Sequence, residues 1–144
     1  MTLATPRRYH DPAYYQRIAG RIYGGAARVD PAGLVHAALG RFQPPSTWGY
    51  VGQLYAITGW SSLPWLHTLR HRTLVMAGDD DPIVPLVNGH LLAWRIPRAR
   101  LHVVPGGGHL FILERPAEIA ELVTSFLDAA DEPSGRRATT ARPR

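Results

Sequence analysis

Two short apolar runs, Thr73 to Ala77 and Leu101 to Val104, each lead straight into a glycine-bearing loop, with a helical stretch between them. The first run does not alternate polar with apolar residues, the pattern expected of a parallel strand buried on both faces. Pro85 to Ile96 reads as the connecting helix, with Leu86, Leu91, Leu92 and Ile96 as candidate core positions. Residues 73–104 therefore predict one βαβ unit. Beyond the second loop, Pro116 opens a further helix in which Ile119, Leu122, Val123, Phe126 and Leu127 form an apolar stripe for docking on a sheet. A sheet of two parallel strands is marginal, and the run at Thr73 would present an open edge where another strand belongs. The fold class is α/β with an incomplete sheet: the pattern points to the last two strands of a larger one, with something upstream missing.

Residues before Arg72 read as helical. Asp11-Pro12 and Asp30-Pro31 each pair an N-cap acid with a proline at the first helical position. They predict helices over about Pro12 to Ile22, leading into Gly24-Gly25, and Pro31 to Leu39, ending at Gly40. Gln43 to Ser46 is a loop, Thr47 caps a third helix through Ile57, Gly59 to Ser62 is a break, and Leu63 to Leu69 is a short helical turn. Tyr14, Tyr15, Tyr23, Trp48, Tyr50, Tyr55, Trp60 and Trp65 are concentrated in this portion. Most of them are expected in the core; the alternative is the lining of an apolar substrate site.

Composition excludes several classes. With no cysteine there is no disulfide and no thiolate metal site. No apolar run approaches the roughly 18 residues of a membrane span, and Met1 to Arg8 lacks the long apolar core of a signal peptide, so a cytoplasmic location is the default expectation. The formal charge is +5, and all sixteen basic residues are arginine. Four of them lie within 136–144 and the rest are scattered, without a basic helix or interleaved aromatics, so no nucleic-acid partner is expected. Residues 131–144 have almost nothing to bury and read as a disordered tail.

The chemistry sits in the two loops. Gly78-Asp79-Asp80-Asp81-Pro82 follows the first strand and Gly106-Gly107-Gly108-His109 follows the second. A carboxylate and an imidazole placed where parallel strands end meet at one edge of a sheet. There the acid fixes the tautomer of the histidine and stabilises the imidazolium formed when it takes a proton. Three adjacent carboxylates on a turn are ordinarily solvated, so one of them acts and the others face water. The glycine run resembles a phosphate cradle only superficially, since a nucleotide loop of the Walker type needs a lysine. No metal is expected on Asp79, Asp81 and His109, because nothing in the spacing brings further ligands to them, and no cofactor is implied. His10, His36, His67, His71, His90 and His102 lack comparable context and read as structural. No Gly-x-Ser-x-Gly occurs, and Ser46, Ser61, Ser62, Ser125 and Ser134 fall in loops, a helix or the tail.

These residues resemble the C-terminal half of the α/β-hydrolase family. The Gly-x-x-Asp-x-x-x-Pro loop after one strand and the Gly-His after the next occupy that family's acid and base positions. Within the family the likeness is to intracellular medium-chain-length poly(3-hydroxyalkanoate) depolymerases. It is carried by Pro6-Arg7-Arg8-Tyr9, Ile22-Tyr23-Gly24-Gly25, Gly59-Trp60, Trp65-Leu66-His67, Leu74 to Pro82 and Leu91 to Pro97. The resemblance implies a helical cap segment with its return to the core over 1–70 and a βαβα unit of the core over 71–130. It implies Asp81 as the triad acid, ahead of Asp80, and His109 as the general base. It also implies that the serine nucleophile and the oxyanion donors belong to the other half of the fold. The expected substrate of the complete machine is an ester or polyester. The expected partners are an N-terminal hydrolase fragment or a second copy, and the chain alone is expected to be inactive. The alternative is a non-catalytic module that binds apolar ligands or polymer granules.

Overall fold

The computed structural model describes residues 6–33, 36 and 45–129. A short 3-10 turn over Pro6–Tyr9 leads into helix α1, Pro12–Tyr23, and a second 3-10 turn over Gly25–Arg28 follows it. Helix α2 is Thr47–Ile57, and a 3-10 turn at Leu66–Thr68 precedes strand β1, Thr73–Gly78. Then come α3, Leu86–Arg95; β2, Ala99–Val104; α4, Phe111–Glu114; and α5, Pro116–Asp128. The expected tail and most of the expected helix from Pro31 lie outside the described residues. Residues 31–33 are helical, and Asp30 Oδ1 accepts from the Gly33 amide at 2.9 Å, as an N-cap does.

The βαβ unit forms as the apolar runs imply. β1 and β2 pair in parallel from Thr73 opposite Ala99 to Gly78 opposite Val104. Successive side chains of a strand face opposite ways, so each helix takes one face of this sheet. Gly89 of α3 lies against Ala77 and Leu101, where a Cβ would come within 2.9 Å of the Ala77 methyl. On the other face Val104, Phe111 and Ile119 form a buried cluster, flanked by Met76 and Val123. Val104 is fully buried and Val75 nearly so, but the other residues of β1 between Thr73 and Ala77 are only half-buried. The expectation of a first strand buried on both faces is corrected: one helix covers part of each face, and among the described residues neither strand has a second neighbour. Leu86, Leu91 and Leu92 are half-buried for the same reason, whereas Ile96 is buried. Leu127, expected in the α5 stripe, is exposed at the helix end, beyond the short sheet.

The helical portion has its own small core. Asp11 caps α1 by accepting from the Tyr14 amide at 2.9 Å, and Tyr15, Ile18, Ala19 and Ile22 form its buried face. Ser46, rather than Thr47, caps α2, taking the Gly49 amide at 3.1 Å. The aromatic expectation fails for half of its members. Tyr15 and Tyr50 are buried and Tyr14 and Tyr23 partly so, but Trp48, Tyr55, Trp60 and Trp65 are exposed. Helix α2 carries Trp48, Tyr50, Val51, Leu54, Tyr55 and Ile57 over about half of its circumference, and Tyr50 alone of its residues is buried. That ring meets Tyr9 edge-on, with centroids 6.0 Å apart.

Candidate active site

The two glycine-bearing loops leave the same end of the sheet, and their main chains interlock. The Asp79 amide donates to the Val104 carbonyl at 3.4 Å and the Asp80 amide to the Gly107 carbonyl at 3.0 Å. This close seating brings Asp81 and His109 together, with Oδ2 of the carboxylate 3.0 Å from Nδ1 of the imidazole. The second oxygen of Asp81 accepts from the amides of Ile83 and Val84, at 2.8 and 2.9 Å. Those bonds fix the carboxylate plane and aim its free oxygen at the ring. The Asp81 side chain is 8% exposed and that of His109 34%. An ionised carboxylate only accepts, so the proton between them belongs to Nδ1. Nε2 of the imidazole is then left with its lone pair available to take a proton.

The neighbouring acids do not face water unpaired, which corrects the expectation that two of the three are merely solvated. Asp79 Oδ1 accepts from the Gly106 amide at 2.6 Å and closes the turn ahead of His109. Asp80 accepts from Arg28 Nε and the Gly25 amide on Oδ2, both at 2.7 Å, and from Arg28 Nη2 on Oδ1 at 2.9 Å. The Arg28 guanidinium, aided by the Gly25 amide, holds the Asp80 carboxyl below the usual carboxylate range, and Asp80 in turn raises Arg28.

Tyr23, Gly24 and Gly25 complete the site from the helical portion. The His109 amide donates to the Tyr23 carbonyl at 2.6 Å. The two rings lie within 18° of parallel, with centroids 6.2 Å apart. The Tyr15 hydroxyl donates to that of Tyr23 at 2.9 Å. Gly24 and Gly25 have positive φ, 65° and 51°, and a Cβ on either would collide with the main chain of Asp80 or Gly108. Sequence reasoning took this pair as a helix stop and as part of the family-like stretch Ile22-Tyr23-Gly24-Gly25. Their second role, letting two backbones touch, leaves no periodic signal. Tyr23, Arg28 and the pairing of Asp80 were likewise missed.

A family model described as the alpha/beta hydrolase fold matches residues 5–116. With a parallel βαβα unit and an acid–base pair at the ends of its strands, the chain belongs to the α/β-hydrolase family. It is 47% identical over 126 residues to a poly(3-hydroxyalkanoate) depolymerase of Ectopseudomonas oleovorans, a match covering 87% of this chain and 44% of that protein. It therefore spans less than half the length of that relative. Solved structures of similar fold include a bromoperoxidase from Bacillus anthracis, with a TM-score of 0.64 at 20% identity over 83% of this chain and 45% of that one. Another is Est816, an N-acyl homoserine lactone degrading enzyme, with a TM-score of 0.63 at 22% identity over 87% of this chain and 54% of that one.

Proposed function

We propose that these residues are the acid-and-base half of a serine-type ester hydrolase acting on a polyester or small ester, a reading supported by the likeness to a protein named a poly(3-hydroxyalkanoate) depolymerase. Asp81 is the triad acid and His109 the general base. The observation that carries this reading is the 3.0 Å contact between Oδ2 of a nearly buried Asp81 and Nδ1 of His109. His109 takes the hydroxyl proton of a serine through Nε2 as the oxygen attacks the ester carbonyl. The imidazolium that results is stabilised by Asp81, returns the proton to the leaving alcohol, and then activates water against the acyl-enzyme. The 144 residues contain no Gly-x-Ser-x-Gly. The serine and the oxyanion donors come from sequence beyond them, on the same or another polypeptide, and the open edge of β1 is where that sequence joins the sheet.

The test is reconstitution. The chain alone should not hydrolyse a short-chain nitrophenyl ester, and mixing it with a polypeptide bearing the strand, nucleophile turn and helix of a hydrolase should restore turnover. His109→Ala should abolish the restored rate. Hydrolysis by the chain alone that is lost in His109→Ala would remove the need for an external nucleophile and overturn the reading.

A second reading rests on a separate observation. No Asp, Glu, Lys or Arg occurs from 45 to 69, and Trp48, Tyr55 and Trp60 in that segment are exposed. A module that adsorbs to uncharged apolar material would need such a surface but has no use for a buried acid–base pair. Binding to polyester particles that survives Trp48→Gln together with Trp60→Gln would dismiss it.

A further inference from the structure

His109 follows three consecutive glycines, the run of main chain least able to hold a conformation by itself. Asp81 restrains the imidazole through one nitrogen, but nothing in that contact restrains the backbone from which the ring hangs. Two tethers do. The His109 amide is bonded to the Tyr23 carbonyl, and the Gly107 carbonyl to the Asp80 amide. The first depends on the turn after α1 staying pressed against the acid loop, and the second ties that loop to the glycine run directly. The groups that press the turn there are Arg28 and Gly25, which share the carboxylate of Asp80.

We propose that Arg28 and Asp80 form a clasp that positions His109, acting through the Tyr23 carbonyl and ring rather than on any substrate. The inference rests on the reading of His109 as the base. Arg28 meets Asp80 with two nitrogens on two oxygens, the fork geometry that fixes orientation as well as proximity. Asp80 thereby joins three segments: the Gly25–Arg28 turn through its side chain, the glycine run through its amide, and Asp81 through the chain itself. Tyr23 receives the restraint at the start of that turn. Its hydroxyl is anchored on Tyr15 in the α1 core, and its ring flanks the imidazole in near-parallel orientation. The result places the acid loop and the Tyr23 ring both against His109, with the proton-accepting nitrogen left for the nucleophile.

The test uses amide hydrogen exchange by NMR on the full 144-residue chain, which needs no turnover. In Arg28→Ala the His109 amide should exchange about two- to fivefold faster, the scale of one exposed ion pair. In Asp80→Ala, which also removes the acceptor of the Gly25 amide, the increase should reach about tenfold. The amides of Val75 and Val104 should keep their protection. Arg28→Lys should recover part of the loss, because lysine keeps the charge but not the fork. The long-range proton–nitrogen pattern of the imidazole, which reports where its proton sits, should become averaged in Arg28→Ala and in Asp80→Ala, and stay unaveraged in unmodified protein. Unchanged His109 exchange in Arg28→Ala with intact strand amides overturns the clasp. Should Arg28→Ala expose the strand amides as well, unmodified protein decides. Raising salt from about 0.05 to about 1 M weakens an exposed pair, so His109 alone should exchange faster, and no response overturns the clasp. A reconstituted mixture that fails to hydrolyse esters would sink the role of His109 as base while leaving this measurement standing. Restored hydrolysis with unresponsive exchange would sink the clasp alone.

Discussion

Gly78, the last residue of β1, lies so close to Gly107 that a Cβ built on it would collide with the Gly107 carbonyl. This approach lets the acid loop and the base loop nest, and it sets the Asp81–His109 distance from beneath. Gly78→Ala should therefore act on the site and on stability together. Forcing a methyl into close-packed main chain costs about 1–3 kcal/mol, to be read as a lower urea midpoint at unchanged slope. The same variant should part the two loops, seen as loss of protection at the Asp80 amide, which donates to Gly107. A Gly78→Ala protein of unaltered midpoint would contradict the nesting.

Asp81 has two structural debts as well as its contact with His109. Asp81→Ala leaves the Ile83 and Val84 amides without their acceptor and Nδ1 of His109 without a partner. Water reaches the exposed Val84 amide and part of the His109 ring, so the loss should be about 1 kcal/mol in chemical denaturation, the low end for an unmade hydrogen bond. Asp81→Asn keeps one acceptor oxygen and should cost less. In the reconstituted enzyme that difference should vanish, because neither variant supports the imidazolium, and both rates should fall by about 10⁴. Equal rates for Asp81→Asn and unmodified protein would assign the acid role elsewhere.

Asp80 predicts a pH response of definite sign. Its folded carboxyl is held below the usual value by Arg28 and the Gly25 amide, so the folded state binds fewer protons than the unfolded chain in that range. Its contribution to stability is complete above the ordinary carboxylate value of about 3.9 and is lost as acid drives protonation in the folded state. Between neutral pH and about pH 5, unfolding monitored by circular dichroism should show no component from this pair. On further acidification the difference between unmodified protein and Asp80→Asn should shrink to nothing. A difference that grows on acidification would carry the wrong sign and refute the pairing.

What the sequence reveals, and what it hides, follows from the range of the interactions. The βαβ unit and the final helix are legible because Leu74 to Ala77, Leu101 to Val104 and the Ile119–Phe126 stripe encode burial with a period. The junction at Asp81 and His109 is legible because each residue lies in the loop that follows a strand. The docking of the α1 portion on the site is not, because it runs through main-chain atoms: the Tyr23 carbonyl, the Gly25 amide and two glycines that permit contact across more than fifty residues. Arg28 looks like any surface arginine until Asp80 is opposite it. The exposed aromatics mislead for a different reason. Trp48, Tyr55 and Trp60 are apolar enough to belong inside, and composition cannot say that these described residues supply no inside for them. Two sides of α2 show the same thing: Tyr50 finds Tyr9, whereas Trp48 and Tyr55, seven residues apart and so on one face, find solvent.

That exposure gives a final prediction which costs little to check. The chain has four tryptophans, Trp48, Trp60, Trp65 and Trp94, and all are exposed, from 52% at Trp65 to 86% at Trp48. A domain of this size ordinarily shields at least part of its large aromatic surface, since each such ring brings a substantial hydrophobic gain on burial. Here the intrinsic fluorescence of the isolated chain should peak near that of free indole in water, and a neutral quencher should reach it without a protected fraction. Joining with the rest of a hydrolase, or adsorption to polyester, should shift the emission to shorter wavelength as these rings leave water. Trp94 on α3 distinguishes the two, because it lies outside the uncharged segment that contains the other three. If Trp94→Phe removes the shift seen with a hydrolase fragment but not that seen with polyester, the two surfaces are separate. A blue-shifted, quencher-protected emission from the monomeric chain alone would show that its aromatic residues have found a core after all, and the open helix α2 described above would be wrong.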